Sequence, residues 1–259
     1  MKINQAFTIL QQSGGIRAAR IITEHVKKLS WFRVHMMARK LRRGMPVAKI
    51  IGQKWFYGLK FYTNKHTLDP RPDTETLVSA VISDCDNNTP RRILDLGTGT
   101  GCIICSLVKN IPNMSGVAVD VSGAALRVAR KNIVSLGLGN QIKTLRGSFN
   151  NKKLVREQFD VIVSNPPYIA RNDARVDDGA TYDPVRALYA KKNGLAAYES
   201  IAKNAKNWIK QGGNLYLEIG MGQGADIKNI FHKNGWNFVR SENDLSGIER
   251  ILIFSMVTK

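Results

Sequence analysis

The chain has 259 residues, with 39 Lys and Arg against 20 Asp and Glu, which gives a formal net charge of +19. Hydrophobic residues make up 43% and charged residues 23%, so the composition is that of a globular protein and excludes a disordered tail. Three cysteines cannot form a disulfide framework, and they are typical of a reducing compartment such as the cytoplasm. No apolar run reaches the roughly 18 residues that a membrane span needs. The charge predicts an acidic partner, and it fits a nucleic acid, a ribosome or an acidic protein equally well.

The first 49 residues carry eleven basic residues and one acid, so about half of the excess charge lies in less than a fifth of the chain. An Arg-rich leader is one interpretation, but apolar residues at helical spacing continue well beyond the length of a leader. Helices are predicted at Asn4–Gln12, Ile16–Leu29 and Trp31–Arg43. Gly14-Gly15 separates the first two, and Gly44 ends the third. We therefore expect residues 1–45 to form a small helical domain, with a solvated basic surface as the simpler alternative.

A linker is predicted to follow, over residues 46–72. Residues 50–63 alternate and carry aromatics on both sides of Gly58, which favours a β-hairpin. Asp73 or Thr74 is predicted to cap a helix that runs to about Val81. The polar stretch Asp84–Pro90 is interpreted as a loop.

From Arg91 onward, short apolar runs alternate with helical stretches. Strands are predicted at Ile93–Leu96, Gly116–Val119, Ile142–Leu145, Phe159–Ser164, Asn214–Ile219, Phe238–Ser241 and Ile251–Phe254. Helices are predicted at Cys102–Asn110, Gly123–Leu136, Leu195–Lys210 and Gly224–Asn234. This alternation favours an α/β fold with a mostly parallel, doubly wound sheet. The last two strands have no helix between them, so we expect them to pair antiparallel.

The first strand of this region ends in the loop Gly97-Thr98-Gly99-Thr100-Gly101. Glycines let a backbone turn sharply and approach a ligand closely. A second acid, Asp120, ends the next strand about twenty residues later, where it can accept hydrogen bonds from ribose hydroxyls. Asp95 before the loop would repel a pyrophosphate but suits a cationic nucleoside without phosphate, such as S-adenosylmethionine. An NAD-binding turn is the alternative, but its glycine spacing differs.

The segment Asn165-Pro166-Pro167-Tyr168 follows an apolar strand. Prolines lack N–H groups, so the segment presents acceptors to a substrate that brings donors. An amide or exocyclic amino group could donate to the side-chain oxygen of Asn165 and the carbonyl of Pro166. Accepting both N–H bonds makes the nitrogen more nucleophilic, and holding it in line with a methyl sulfonium supplies the rest by proximity. Tyr168 could stack on the planar group.

These two motifs resemble class I S-adenosylmethionine-dependent methyltransferases that act on planar amino groups. Further segments resemble one branch, the release-factor glutamine N5-methyltransferase (HemK) family. They are Gly44–Val47, Ile51-Gly52, Phe56–Leu59, Phe61, Pro70–Glu75, Leu94–Ile103, Leu217–Gly220, Asn243-Asp244 and Glu249-Arg250. Pro70–Glu75, which reads Pro-Arg-Pro-Asp-Thr-Glu, is the most discriminating of them. The resemblance implies a Rossmann-like seven-stranded sheet over residues 73–259, with the helical domain docking the substrate.

The resemblance implies methylation of the glutamine in the Gly-Gly-Gln motif of class 1 peptide-chain release factors, with S-adenosylhomocysteine as product. The implied cofactor-binding residues are Gly97, Thr98, Gly99, Thr100, Gly101, Asp120, Asn165 and Phe149, the last against the adenine. The implied substrate-binding residues are Asn165, Pro166, Pro167, Tyr168, Arg71 and Glu75, and those in catalysis are Asn165, Pro166 and Tyr168. No metal is expected. The partner is the release factor, and we expect a cytoplasmic monomer without stably bound nucleic acid or membrane.

Two residues depart from the family pattern: Ser148 replaces an acid beside the adenine, and Asp69 replaces an apolar residue before Pro70. A methyltransferase acting on an amino group of DNA or RNA is the main alternative, favoured by the charge. A nucleic-acid-binding protein with a vestigial cofactor fold is a third interpretation, which the intact motifs argue against. The cysteine pair Cys102/Cys105 is expected to pack as apolar residues. All four tryptophans, Trp31, Trp55, Trp208 and Trp236, are expected in the core.

Overall fold

Three helices at the start of the chain share one apolar cluster. The computed structural model describes residues 1–85, 89, 91–170 and 178–256. Helices α1, α2 and α3 cover Ile3–His25, Trp31–Arg42 and Val47–Ile51. Their buried side chains contact one another, and they include Ala6, Leu10, Ala19, Ile22, Val34, Met37, Ala38 and Leu41.

The helix predictions here are confirmed in part. Gly15 interrupts α1 with φ 84 and ψ 167, as the predicted break requires, but α1 ends at His25 and not at Leu29. The N-terminus of α2 is capped by Ser30, whose side chain accepts from the N–H of Arg33. Helix α3 was not predicted, because its short apolar run is equally compatible with a strand.

The predicted hairpin is present. Strands β1 (Gln53–Phe56) and β2 (Leu59–Tyr62) pair antiparallel around Tyr57 and Gly58. Both turn residues have positive φ, 48 and 71, the pattern of the tight turns whose twist matches that of a hairpin. Phe56 on β1 is buried in the main core, so the hairpin is packed against the following domain.

Helix α4 (Glu75–Asp84) follows a short 3-10 helix at Pro72–Thr74. Thr74 occupies the N-cap position, but its side chain makes no capping hydrogen bond, so the capping prediction is wrong. Most of the predicted loop Asp84–Pro90 falls on residues 86–88 and 90, which lie outside the described residues.

Seven strands of the described chain form one sheet, in the order β5-β4-β3-β6-β7-β9-β8. They are β3 (Arg91–Leu96), β4 (Met114–Asp120), β5 (Ile142–Arg146), β6 (Phe159–Ser164), β7 (Ile209–Glu218), β8 (Trp236–Asn243) and β9 (Glu249–Met256). The first five run parallel, whereas β9 is antiparallel to both β7 and β8. The predicted α/β fold, with its seven-stranded and mostly parallel sheet, is confirmed.

Helices cover both faces of this sheet. They are α5 (Cys102–Asn110), α6 (Gly123–Ser135), α7 (Val185–Leu188), α8 (Ala196–Asn204) and α9 (Gly224–Lys233). The predicted helix Leu195–Lys210 is too long, because Ala205–Asn207 is a 3-10 helix and Lys210 already belongs to β7.

Two apolar clusters form the core on opposite faces of the sheet. One contains Cys102 and Cys105, which pack as apolar residues as predicted. The other contains Trp208 and Trp236. Trp31 and Trp55 are instead 66% and 58% exposed, so their assignment to the core is wrong. In the described part of the chain, no helix has the length and apolar character to cross a membrane.

Candidate active site at the carboxyl edge of the sheet

The centre of the sheet brings the two sequence motifs together. Strand β3 lies between β4 and β6, and all three run parallel. Leu96 at the end of β3 pairs with Val119 on one side and Ser164 on the other. Parallel strands end at the same edge, and a crevice opens where the strand order reverses. Gly97 and Asn165, which follow β3 and β6 directly, therefore flank that crevice.

Local hydrogen bonds fix the junction between these two strands. The hydroxyl of Ser164 is buried and donates to the carbonyl of Leu96 at 2.7 Å. The Ser164 side chain thus adds a hydrogen bond to the ladder pair that this residue forms with Leu96. The last residues of β3 and β6, which the glycine loop and Asn165 follow, are therefore joined directly.

The glycine loop adopts conformations that favour glycine. Gly97, Gly99 and Gly101 have φ of 76, 55 and 80, so a side chain at any of them would be strained. An added Cβ at Gly97 would meet nothing within 4 Å, which leaves room for a ligand against the backbone. Gly101 is the N-cap residue of α5. The loop therefore turns directly from strand to helix beside the crevice.

Two acids lie beside this loop. Asp120 accepts from the N–H of Gly99 at 3.0 Å and from the N–H of Ser122 at 2.8 Å. Burial raises the pKa of Asp120 above its usual value, and these backbone N–H groups partly offset the rise. Each carboxylate oxygen accepts one of these bonds and keeps a lone pair for a ligand hydroxyl.

Asp95 is fully buried, so it supports the loop without lining the crevice. Its Oδ2 accepts from the Thr98 hydroxyl at 2.6 Å, while Oδ1 is buried with no hydrogen-bond partner among the described residues. Burial raises the pKa of Asp95 to about 7; the Thr98 bond opposes the rise and the charge of Asp120 adds to it. Asp95 is therefore a carboxyl group whose charge responds to its surroundings near neutral pH.

The Asn165–Tyr168 segment is held at both ends. The side-chain nitrogen of Asn165 donates to Thr74 Oγ1 at 3.2 Å. The hydroxyl of Tyr168 donates to Glu218 Oε1 at 3.4 Å. Pro166 and Pro167 between them have no N–H to donate.

Glu218 ends β7 and is 1% exposed. Burial raises the pKa of Glu218 to about 7. The hydrogen bond of the Thr74 hydroxyl and the charge of Arg250 both act in the opposite direction and lower it. Arg250 also pairs with Asp244 at 3.0 Å and lies 3.5 Å from Asp73. Behind the Asn165–Tyr168 segment, the buried Glu218 and Asp244 are thus connected through Arg250 to the exposed Asp73.

One cavity of ≈ 710 Å³ connects the glycine loop, the end of β4 and Asn165. The predicted site residues among its lining are Gly97, Thr98, Gly99, Thr100, Asp120, Phe149, Asn165, Pro167 and Arg71. Ser148 also lines it. Gly101, Pro166, Tyr168 and Glu75 are not part of that lining. Glu75 faces the hairpin, where its Oε1 accepts from the N–H of Tyr57 at 2.8 Å.

Arg71 is oriented by an ion pair. Its guanidinium lies 2.8 Å from Asp183, a buried residue that directly precedes the cavity segment Pro184–Ala187. Asp183 and Asp69 also bind the buried ammonium of Lys49, at 2.8 and 2.9 Å. The Pro70-Arg71 wall is therefore connected to α3 of the helical region.

Sequence reasoning missed three residues that shape the site. Gln223 donates from Nε2 to the carbonyl of Tyr168 at 3.0 Å and accepts at Oε1 from the N–H of Gly220. Gly194 has φ 91, and an added Cβ there would lie 2.1 Å from the Tyr168 carbonyl oxygen. Asn132 on α6 binds both Tyr62 and the Thr100 carbonyl. Only their distant contacts reveal these roles.

The arrangement can bind a cationic nucleoside and a planar donor group side by side. Carboxylates and a flexible glycine backbone line one part of the cavity. The other part presents the Asn165 side chain beside prolines that lack N–H groups.

Comparison with known proteins identifies the class. A model of the methyltransferase small domain matches residues 71–181.

The catalytic domain of hMettl16, solved with a MAT2A 3′UTR hairpin, has the same fold. It superposes with a TM-score of 0.60 at 17% identity, over 88% of this chain and 81% of that one. At that identity the likeness concerns the fold alone. The molecule therefore has the class I methyltransferase fold.

Curated relatives identify the branch. The release factor glutamine methyltransferase of Agrobacterium fabrum is 38% identical over 229 residues, which cover 86% of this chain and 78% of that protein. The bifunctional methyltransferase of Rickettsia felis is 37% identical over 252 residues, 86% of this chain, but the chain spans about half of that relative, 47%. This protein belongs to the release factor glutamine methyltransferase family.

Proposed function

We propose that this protein transfers a methyl group from S-adenosylmethionine to the side-chain nitrogen, N5, of the glutamine in the Gly-Gly-Gln motif of class 1 peptide-chain release factors. The observation that supports the proposal most directly is the single cavity shared by the glycine loop, Asp120 and Asn165. A donor nucleoside and an acceptor amide can occupy its two parts in contact. The names of the relatives supply the identity of the amide.

The residues present fit the cofactor. The space beside Gly97 leaves its backbone accessible, and Asp120 keeps free lone pairs for ribose hydroxyls. Phe149 offers an aromatic face in the same cavity. When bound, S-adenosylmethionine supplies an electrophilic methyl group on a sulfonium, which leaves as a neutral thioether. The carboxyl groups of Asp95 and Asp120 favour a cation over a phosphate at this end.

The chain's own contribution to transfer lies in the Asn165–Tyr168 segment. Asn165 Oδ1 and the Pro166 carbonyl accept the two N–H bonds of the substrate amide, so electron density stays on the nitrogen. The prolines keep the segment rigid, and Tyr168, held by Glu218 outside the cavity lining, anchors its far end. As it gains the methyl group, the nitrogen releases one of its two protons to solvent water, because neither the Asn165 amide nor the Pro166 carbonyl is basic enough to keep it.

Residues 1–45 are proposed as the domain that docks the release factor, with 46–72 as its linker and 73–259 as the methyltransferase domain. The concentration of positive charge before residue 50 supports docking of an acidic surface. Trp31 and Phe32 on α2 are 66% and 71% exposed, which adds an apolar contact to that surface. A substrate of translation termination also implies a cytoplasmic enzyme, and we propose a monomer without stably bound nucleic acid.

The test is a transfer assay with methyl-labelled S-adenosylmethionine, a release factor, the same factor with its motif Gln replaced by Glu, and bulk RNA and DNA. Label should enter only the unaltered factor, and mass spectrometry should locate it on the motif glutamine. Asn165→Ala should abolish labelling while the Kd for the cofactor changes little. Label in nucleic acid and none in the factor would overturn the proposal. Raised salt should increase KM for the factor at unchanged kcat if the basic domain docks it.

A further inference from the structure

The loop that follows β5, residues 147–153, carries the aromatic side chain of the cavity's nucleoside end. Residues 147–150 line the cavity, and Phe149 is the aromatic residue among them. The loop begins beside the carboxylate proposed to bind the ribose, because the N–H of Gly147 donates to the backbone carbonyl of Asp120 at 3.1 Å. The base of a nucleoside is attached directly to its ribose. An adenine whose ribose binds Asp120 is therefore placed beside this loop.

Two hydrogen bonds within the loop bend the chain around Phe149. The N–H of Asn151 donates to the carbonyl of Ser148 at 3.0 Å, and the N–H of Asn150 donates to the hydroxyl of Ser148 at 3.2 Å. The Phe149 side chain is half-buried and packs against the apolar cluster that contains Trp208. Such apolar contacts are not directional, so they do not determine how the ring faces the cavity.

Asn204 holds the Phe149 backbone from a distant part of the chain. It is the last residue of α8, is 8% exposed, and donates from Nδ2 to the carbonyl of Phe149 at 2.9 Å. Just after the 3-10 helix that follows α8, the indole Nε1 of the buried Trp208 donates to the carbonyl of Lys152 at 3.1 Å. The end of α8 and the turn after it thus bind the loop at two carbonyls. Because hydrogen bonds are directional, these two restrict the loop in a way that apolar packing alone does not.

The position of Asn204 determines which step of the reaction it can influence. Neither Asn204 nor Trp208 lines the cavity, so both act on a ligand only through the loop. A loop that is already held in place needs no ordering when the ligand binds, whereas a loop released from Asn204 must be ordered at that step. Loss of the bond should therefore weaken cofactor binding. Transfer itself takes place at Asn165, in the other part of the cavity, and should not change.

We propose that Asn204 is a positioning residue that holds Phe149 against the adenine of the bound cofactor. Trp208 supports the same loop at its other end. The inference rests on the proposed function, because it takes S-adenosylmethionine as the ligand. It assigns cofactor affinity in part to a helix end that lies outside the cavity lining.

The test is the Kd for S-adenosylmethionine, measured by calorimetry without a release factor. Asn204→Leu keeps the approximate size of the side chain but cannot donate to Phe149, so Kd should rise about 10-fold, the effect of losing one buried hydrogen bond. The kcat at saturating cofactor should be unchanged. Asn204→Ala, which removes the amide without adding an apolar branch, is the second variant, should Asn204→Leu fail to fold.

Asn207→Leu is the matched control for a disturbance of the turn after α8. The exposed side chain of Asn207 donates from Nδ2 to the backbone carbonyl of Asn204 at 2.9 Å. This change removes an amide hydrogen bond from the same turn but leaves the bond to Phe149 in place. It should therefore leave the cofactor Kd unchanged.

A double-mutant cycle separates positioning from a general loss of stability. Phe149→Ala should itself raise the cofactor Kd about 10-fold or more, as the loss of stacking between an aromatic ring and a base does. In the Phe149→Ala background, Asn204→Leu should raise Kd less than about threefold, because the ring that Asn204 positions is absent. A general loosening of the fold would raise Kd by the same factor in both backgrounds.

Equal increases of Kd in the two backgrounds would overturn the proposal. So would a parent-like Kd in Asn204→Leu or in Phe149→Ala, or a lower kcat at saturating cofactor with an unchanged Kd. The binding measurement contains no release factor. A parent protein that binds the cofactor but does not label a release factor would therefore refute the proposed substrate alone.

Discussion

Asp95 is a titrating group beside the proposed cofactor site. It is fully buried, its pKa is raised by burial to about 7, and its Oδ2 accepts from the Thr98 hydroxyl while its Oδ1 has no hydrogen-bond partner among the described residues. A bound cation stabilises the ionised form and lowers this pKa. Asp95 is partly protonated just below pH 7 in the free protein, so binding of a cationic cofactor should drive a proton off.

The expected result is proton release on binding of S-adenosylmethionine just below pH 7. Affinity should rise with pH up to about 7 and then level off, because above that value Asp95 is already ionised. Calorimetry in two buffers of different ionisation enthalpy measures the released proton. S-adenosylhomocysteine, which lacks the sulfonium charge, should release less. Asp95→Asn removes the titrating group and should abolish this proton release. Identical binding heats in both buffers for the parent protein would refute the expectation.

Single residues also show how far sequence reasoning reaches. The glycine loop and Asp120 are predicted from their spacing, Asn165 is predicted from the Asn-Pro-Pro-Tyr motif, and the family resemblance implies the same residues. Each stands at the end of an apolar strand, and parallel strands end together. Asp73 or Thr74 is predicted to cap the next helix, which is the usual role of such residues before a helix. The Thr74 hydroxyl instead accepts from Asn165, 91 residues away, and local sequence carries no signal for such a contact.

At the scale of elements, Asn132 joins three of them. It lies on α6 and is fully buried. Its Nδ2 donates to the carbonyls of Tyr62 on β2 and Thr100 in the glycine loop, at 3.0 and 2.8 Å, and its Oδ1 accepts from the N–H of Tyr62. One amide thus satisfies three backbone groups that packing removes from water.

Asn132→Leu should lower the free energy of unfolding by about 3 kcal/mol, because it leaves these three backbone groups without partners. Urea denaturation measures the change. Asn110→Leu is the matched control. Among the described residues, the side-chain amide of Asn110 binds the carbonyl of Ser106 one turn earlier and nothing else, and residue 110 is exposed, so this change should cost less than about 0.5 kcal/mol. Equal losses in the two variants would contradict the role of Asn132 as a clamp.

The elements that sequence reasoning described best are those defined by their own periodicity. Helix α5 and strand β6 have the predicted bounds, because each is an apolar run with a glycine or polar residue at its ends. Helix α3 was missed and the helix before β7 was predicted too long. In both places a short apolar or alanine-rich stretch fits two structures, and packing against the rest of the molecule selects one.

At the scale of the whole molecule, a buried ion cluster connects the helical region to the cavity wall. Lys49 on α3 has a side chain 4% exposed and lies 2.9 Å from Asp69 and 2.8 Å from Asp183. Its ammonium also donates to the carbonyl of Asn64 at 2.8 Å. Asp183 holds Arg71 in turn, so the charges form one continuous network. Lys49 is thus the counter-ion of Asp69.

Lys49→Met should therefore destabilise the protein by about 3 to 5 kcal/mol, because two buried carboxylates lose their common partner. Adding Asp69→Leu should recover part of that loss. It removes the buried carboxylate that Lys49→Met leaves without a cation, whereas Asp183 still pairs with Arg71. Lys192→Met is the control for removing a positive charge. Lys192 forms an exposed ion pair with Glu199, which should contribute at most about 1 kcal/mol to the free energy of unfolding. Chemical denaturation of the three variants decides the matter. Two results would show that the cluster does not hold the two regions together. One is a double variant that is less stable than Lys49→Met. The other is a Lys49→Met loss no larger than that of Lys192→Met.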